Sequence, residues 1–254
     1  KKLRSKVLQQ KELDWQSRKE MEKLMNRQKQ LQDQIQQAKE NFEESKKMQQ
    51  DFNQQKNEEL LEKQEQLEKM FEDTMSEEMK KLMEDIEKLL QELNKDEMLE
   101  QMEKMQMSQE QLNKQLDRLQ ELYKQLEVEN MLQQQIEQLE EMAKDQEKLS
   151  EETENETKSD EQLKKEQEEL NKKMDDLEKK HEEMLEKNEE LKRPQKLEDQ
   201  KEEMKDIQKE MQDAKKELEQ QQKSKAGKKQ KKAAEKMKNM ANKMKQNRES
   251  GEQE

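Results

Sequence analysis

His181 is the only imidazole in the chain, and imidazole is the side chain best suited to moving protons near neutral pH. It stands in the run Leu163, Gln167, Leu170, Met174, Leu177, His181, Met184, Asn188, Leu191, where every step is three or four residues. That spacing puts it on a helix seam among Leu and Met. A structural or pH-sensitive seam position is expected there rather than a catalytic base, and no ligand set for a metal gathers around it. Ser224 to Lys229 (SKAGKK) lacks the first glycine and the hydroxyl after lysine that a phosphate-cradling loop needs. Eight of the twenty methionines, Met70, Met75, Met79, Met83, Met98, Met102, Met105 and Met107, crowd one short region without His or Cys beside them. They suit adaptable helix packing better than copper. Asn155-Glu156-Thr157 is a formal glycosylation triplet with no secretory feature around it. No catalytic residue, cofactor or metal ion is expected, and the chain is not expected to be an enzyme.

The elements that carry these residues follow from composition. Of 254 residues 26% are hydrophobic and 47% charged, and Gly and Pro together number three, which leaves too little apolar surface for a compact enzyme core and too little punctuation for loop-rich folds. Two Val, four Ile and three Thr cannot furnish a sheet. Leu, Met, Gln, Glu and Lys dominate, the residues that lose least rotamer freedom in a helix. The fold expected is all-α, with elongated helices forming coiled-coil hairpins or a loose bundle and no sheet. The net charge of −13 argues against a nucleic-acid binder along its whole length. No apolar run approaches the about 20 residues of a membrane span, so a soluble segment is expected, and a start at Lys1 rather than Met suggests a longer chain with an anchor upstream.

Residues 1–73 predict a long amphipathic helix, with Leu31, Ile35, Ala38 and Phe42 on one face, and 74–107 predict Met-rich short helices. A long helix is expected over 108–149, carrying Leu112, Leu116, Leu119, Tyr123 and Leu126. Thr74 with Glu77, Ser108 with Gln111, and Ser159 with Gln162 fit capping boxes that would start helices. Residues 150–161 (SEETENETKSDE) hold six acids, one Lys and nothing apolar, which predicts an acidic linker. A heptad helix is expected over 162–193, a boundary at Pro194, and a second heptad helix over 194–222. Another boundary is expected at Ser224 to Gly227, followed by a basic amphipathic tail over 223–254 that frays from Arg248. Trp15 and Tyr123 are expected to cover apolar stripe surface with their polar edges at solvent.

Two constellations invite a binding role. The seam Leu163, Leu170, Met174, Leu177, Met184, Leu191, Leu197, Met204, Ile207, Met211 and Leu218 has the heptad period of paired helices. Its Leu and Met in place of β-branched residues leave direction and oligomeric state open, so its partner is either this chain folded back or another chain. From Lys223 to Arg248 eleven basic residues accompany one acid, Glu235, and Ala233, Met237, Met240, Ala241 and Met244 share one face. Lys228, Lys229, Lys231, Lys232, Lys236, Lys238, Lys243 and Lys245 could there meet an anionic membrane surface or, less readily without aromatics, nucleic acid. They could equally dock on the acidic helices of this protein.

Met75-Ser76-Glu77-Glu78-Met79-Lys80-Lys81-Leu82-Met83, followed by Leu116-Asp117-Arg118-Leu119-Gln120-Glu121-Leu122-Tyr123-Lys124-Gln125-Leu126-Glu127-Val128-Glu129, resembles the helical middle of a large bacterial membrane-anchored family, domain-of-unknown-function family 4175. The resemblance covers roughly residues 1–190. It implies a scaffold region that follows N-terminal membrane helices and brings no catalytic residues with it; the lysine-rich tail has no counterpart in it. The function expected is that of a structural or interaction protein, a coiled-coil scaffold or spacer binding protein partners through its helical seams. An anion-binding module gripping membrane or nucleic acid through its tail is the alternative.

Overall fold

The computed structural model describes residues 2–52, 58–74, 84 and 95–251. Among these residues the protein is all-helical and without strands. Six helices follow one another: α1 (Lys2–Phe52), α2 (Glu58–Thr74), α3 (Lys95–Glu154), α4 (Asp160–Glu189), α5 (Lys201–Glu219) and α6 (Lys223–Gly251). They divide into two compact units, Lys1–Tyr123 and Lys124–Glu254, and α3 contributes to both.

In the first unit the expectation of one long helix over 1–73 is corrected. A straight helix would separate Phe42 from Phe71 by about 43 Å at 1.5 Å per residue, yet their ring centroids lie 5.9 Å apart. Lys46 also pairs with Glu68, so α2 runs back along α1. Tyr123 meets Phe42 edge-on at 6.1 Å, and Gln109 donates to the carbonyl of Leu24 at 2.5 Å, which lays the start of α3 alongside α1 in the same direction. Leu31, Ile35 and Phe42 are buried with Leu67, Phe71, Leu112, Leu116 and Leu119. Trp15 is 60% exposed, with the Lys19 ammonium 4.7 Å from its ring centroid. Most of the Met-rich block, with the Thr74 and Glu77 side chains, lies outside the described residues; Met107 is exposed. Ser108 starts no helix, because α3 already runs from Lys95.

The second unit is an up-down-up-down four-helix bundle. Glu127 pairs with Lys187 and Gln146 with Gln167, so α4 descends as α3 rises. Asp175 with Gln208 and Glu168 with Lys215 set α5 antiparallel to α4. Glu210 with Lys232 and Glu203 with Lys243 do the same for α5 and α6. Lys238 with Glu147 and Lys245 with Glu140 close the ring between α6 and α3. A single core joins Val128, Leu132, Ile136, Leu139 and Met142 to the apolar seams of the other three helices. Buried Ala214, Ala226, Ala233, Ala234 and Ala241 let the α5 and α6 backbones come close.

Three boundaries differ from the sequence expectation. The linker expected over 150–161 shrinks to 155–159, because α3 continues to Glu154. Ser150 and Thr153 are buried polar groups with partners: the Ser150 hydroxyl donates to Gly227 O at 2.8 Å and the Thr153 hydroxyl to Leu149 O at 2.7 Å. Glu156 turns the chain with a φ of 53°. Ser159 then caps α4 in the expected box, its hydroxyl accepting from the Gln162 amide and the Gln162 side chain accepting from the Ser159 amide. After Pro194 no helix begins at once: residues 194–200 are irregular, and α5 starts only at Lys201. The break expected at Ser224 to Gly227 falls instead at residues 220–222, where Gln221 takes a φ of 58°. The basic segment is therefore no tail: α6 is the fourth wall of the bundle.

Candidate functional site

Heptad spacing predicts one stripe per helix, and the structure brings those stripes together inside one chain. Leu163, Leu170, Met174, Leu177, Met184, Leu191, Met204, Ile207, Met211 and Leu218 are all buried and belong to the same core as residues of α3 and α6. Leu197 is half-buried against that core from the irregular segment after Pro194, outside any helix. The seam thus pairs in cis.

Polar residues interrupt the core in layers. Gln167, fully buried, exchanges two hydrogen bonds with buried Gln146 at 2.9 and 3.0 Å. Its oxygen also accepts from Gln230 of α6 at 3.0 Å and its nitrogen donates to Asn171 at 2.9 Å. Three helices are thereby tied at one level, because a buried amide left without partners costs about 1–3 kcal/mol and other registers would leave it so. A second layer holds His181, 2% exposed, with Gln135 of α3 and Gln200 at the start of α5. His181 Nδ1 lies 3.0 Å from Gln135 Oε1, and the Gln200 amide donates to Nε2 at 3.4 Å. Gln135 gives its own amide hydrogen to Lys180 O. Its oxygen is left to accept, so His181 carries its proton on Nδ1 and is neutral. Burial pushes the His181 pKa below the ordinary value of 6.5, with the Asp199 and Glu182 carboxylates opposing the shift. In a third layer Asn188 clamps the Gln195 backbone, donating to its carbonyl and accepting from its amide at 2.9 Å each.

Charge is arranged in cis as well. Glu210, nearly buried on α5, lies 3.0 Å from Lys229, 2.7 Å from Lys232 and 3.5 Å from Lys236. Burial raises its pKa, but the bonds from Lys232 and Lys229 outweigh that and hold it at about 2. Lys229 also meets Asp213 and Lys236 meets Asp206. Lys243 sits between Glu203 and Glu198, Lys238 pairs with Glu147, and Lys245 with Glu140. Six of the eight lysines singled out for anion binding thus face acids of their own chain. Lys228 and Lys231 stay exposed, with no ion pair among the described residues, and Lys225 is like them. A groove of about 350 Å³ between α4 and α5, floored by Met174 and Met211, is rimmed by Glu168, Lys172 and Lys215, and Glu168 pairs with both lysines. Among the described residues no group of three or more His, Asp or Glu is placed to hold a metal.

Gln167, His181 and Asn188 are legible in the sequence as polar members of an apolar seam. So is Gln200, between Leu197 and Met204 on the second seam, whereas Gln135, Gln146, Gln230 and Glu210 were missed. The signal for them is conditional: a buried polar residue on one helix requires a partner at the same level of each neighbour, which can be sought only once the helix order is known. Comparison with protein-family models, curated proteins and solved structures finds no match.

Proposed function

We propose that the chain is a structural and interaction protein, a charged helical scaffold or spacer without catalytic chemistry. Following the resemblance to domain-of-unknown-function family 4175, it belongs to a larger bacterial protein attached to a membrane through segments upstream. The observation that carries this reading is the self-closure of the bundle. The seams, the Gln146–Gln167 layer and most lysines of the basic helix find partners within residues 124–254, as suits a module that keeps its shape while its charged outer faces meet protein partners. Opposed charges spaced along those faces make such contacts selective more than tight.

The anion-binding alternative retains one observation in its favour, the unpaired Lys225, Lys228 and Lys231 on the outer side of α6. Two measurements separate the readings. Asp175→Cys with Gln208→Cys, whose parent side chains touch at 3.0 Å, should cross-link within monomers of the full chain; cross-links only between chains would overturn the self-closed module. The full chain should show no binding to phosphatidylglycerol vesicles or duplex DNA at physiological salt. Binding that falls steeply as salt rises, and is lost in Lys228→Gln with Lys231→Gln, would instead establish the anion-binding module.

A further inference from the structure

We infer that the non-helical segment 190–200 is a pH-dependent latch, held shut by neutral His181 and released when its ring takes up a second proton. The segment spans from the end of α4 to the start of α5, tied to α3 by Gln195 Nε2 donating to Glu129 Oε1 and by Glu190 pairing with Lys124, and to α6 by Glu198 pairing with Lys243. Asn188 holds Gln195, Leu191 and Leu197 pack on the core, and at the far end the Gln200 amide donates to His181 Nε2. Gln200 precedes the first residue of α5 and makes no side-chain cap, while its carbonyl accepts from the Met204 amide. The ring nitrogen thus holds the cap backbone of α5, beside Asp199 Oδ1, which accepts from the Lys201 amide, and Glu182, which pairs with Lys201.

Both ring nitrogens are committed. Nδ1–H donates to Gln135 Oε1, whose orientation is fixed by the bond from Gln135 Nε2 to Lys180 O. Nε2 must accept. A second proton would make Nε2 a donor aimed at the N–H of Gln200, and two donors cannot share that line. For its new hydrogen to find an acceptor the Gln200 backbone would have to move aside, to admit water or to bring in Gln200 Oε1, which is buried without a partner.

Surrounding charges set how hard the ring is to protonate. From α4 comes Glu182, engaged by Lys201 of α5; from the segment itself comes Asp199. α6 brings Lys243, held between Glu198 and Glu203, and α3 faces the ring with uncharged Gln135. The two carboxylates favour the proton and burial disfavours it, with burial the stronger. The latch thus stays shut at neutral pH and opens only below the ordinary imidazole value of 6.5.

Because His181 is the only histidine, imidazole resonances in the full-length, isotope-labelled chain report on it alone. The expected result is the Nδ1–H tautomer at about pH 8 and a titration midpoint below the ordinary 6.5. Amide protection at Gln195 and Gln200 should fall at least tenfold through that same midpoint, while protection at Leu170 and Ile207 stays within twofold. His181→Gln should abolish the pH dependence at Gln195 and Gln200. Titration at or above 6.5, strap amides indifferent to pH, or loss of protection at Leu170 together with Gln200 would each overturn the latch, the last by showing global unfolding. The wild-type measurements decide the matter even if the variant does not fold.

Discussion

Gly227 on the second turn of α6 faces Glu154, the last residue of α3, so closely that a Cβ added to it would lie 2.6 Å from Glu154 Cγ. The Gly227 carbonyl at the same place accepts the Ser150 hydroxyl. The glycine is helical, with no positive φ, so it serves close approach rather than a turn.

Gly227→Ala should therefore be nearly neutral, within about 1 kcal/mol. The exposed Glu154 side chain can swing away, and alanine recovers the about 1 kcal/mol by which glycine weakens a helix interior. Gly227→Leu cannot be absorbed in that way and should cost about 1–3 kcal/mol. Urea unfolding followed by circular dichroism measures both; an alanine variant as damaged as the leucine variant would mean that Glu154 is held in place.

Gln167→Leu should destabilise the bundle by about 1–3 kcal/mol, since Gln146 and Gln230 both lose their partner in the core. Replacing Gln146, Gln167 and Gln230 together by leucine should restore much of that loss while relaxing helix register. The register effect would appear as extra amide resonances. A stabilised single variant would contradict the bonding described for this layer.

Glu210→Gln should lower stability at neutral pH by about 1–2 kcal/mol, a modest figure because Lys229, Lys232 and Lys236 remain partly in water. The folded pKa of Glu210 is about 2, below its ordinary 4.5. Its contribution is therefore complete above 4.5 and is lost as pH falls towards 2. The gap between wild type and variant should close over that window, and a gap that persists at about pH 2 would assign the effect to packing.

Ser159→Ala should cost about 1 kcal/mol and Ser159→Gly less, because alanine removes the hydroxyl that accepts the Gln162 amide while disfavouring the cap backbone. Equal effects on the unfolding midpoint would show that the box contributes little.

How much of this was legible beforehand depended on the range of the interaction. Ser159 with Gln162 is a contact three residues long, and its cap forms as its spacing predicts. Helix type, the apolar faces and the break after α4 at Pro194 are equally local, set by side-chain entropy, periodicity and a missing amide hydrogen. The acidic stretch from Ser150 misled for the opposite reason. Lacking apolar residues it resembles a linker, yet Ser150 and Thr153 are buried, and the Ser150 hydroxyl donates to Gly227 of α6, more than seventy residues further on. Likewise nothing near Phe42 announces Phe71 as its neighbour.

Taken alone, then, the order of residues determined that the chain is helical, where most of its second-unit seam lies, and that His181 belongs to it. Tertiary structure decided that this seam closes on its own chain, that α6 spends most of its lysines on acids of α3 and α5, and that glutamines tens of residues apart meet in one buried layer. The division has a physical cause. Propensity and periodicity act within a few residues, whereas pairing of like amphipathic helices is degenerate until particular buried polar groups and ion pairs can all be satisfied at once, which only the assembled bundle tests.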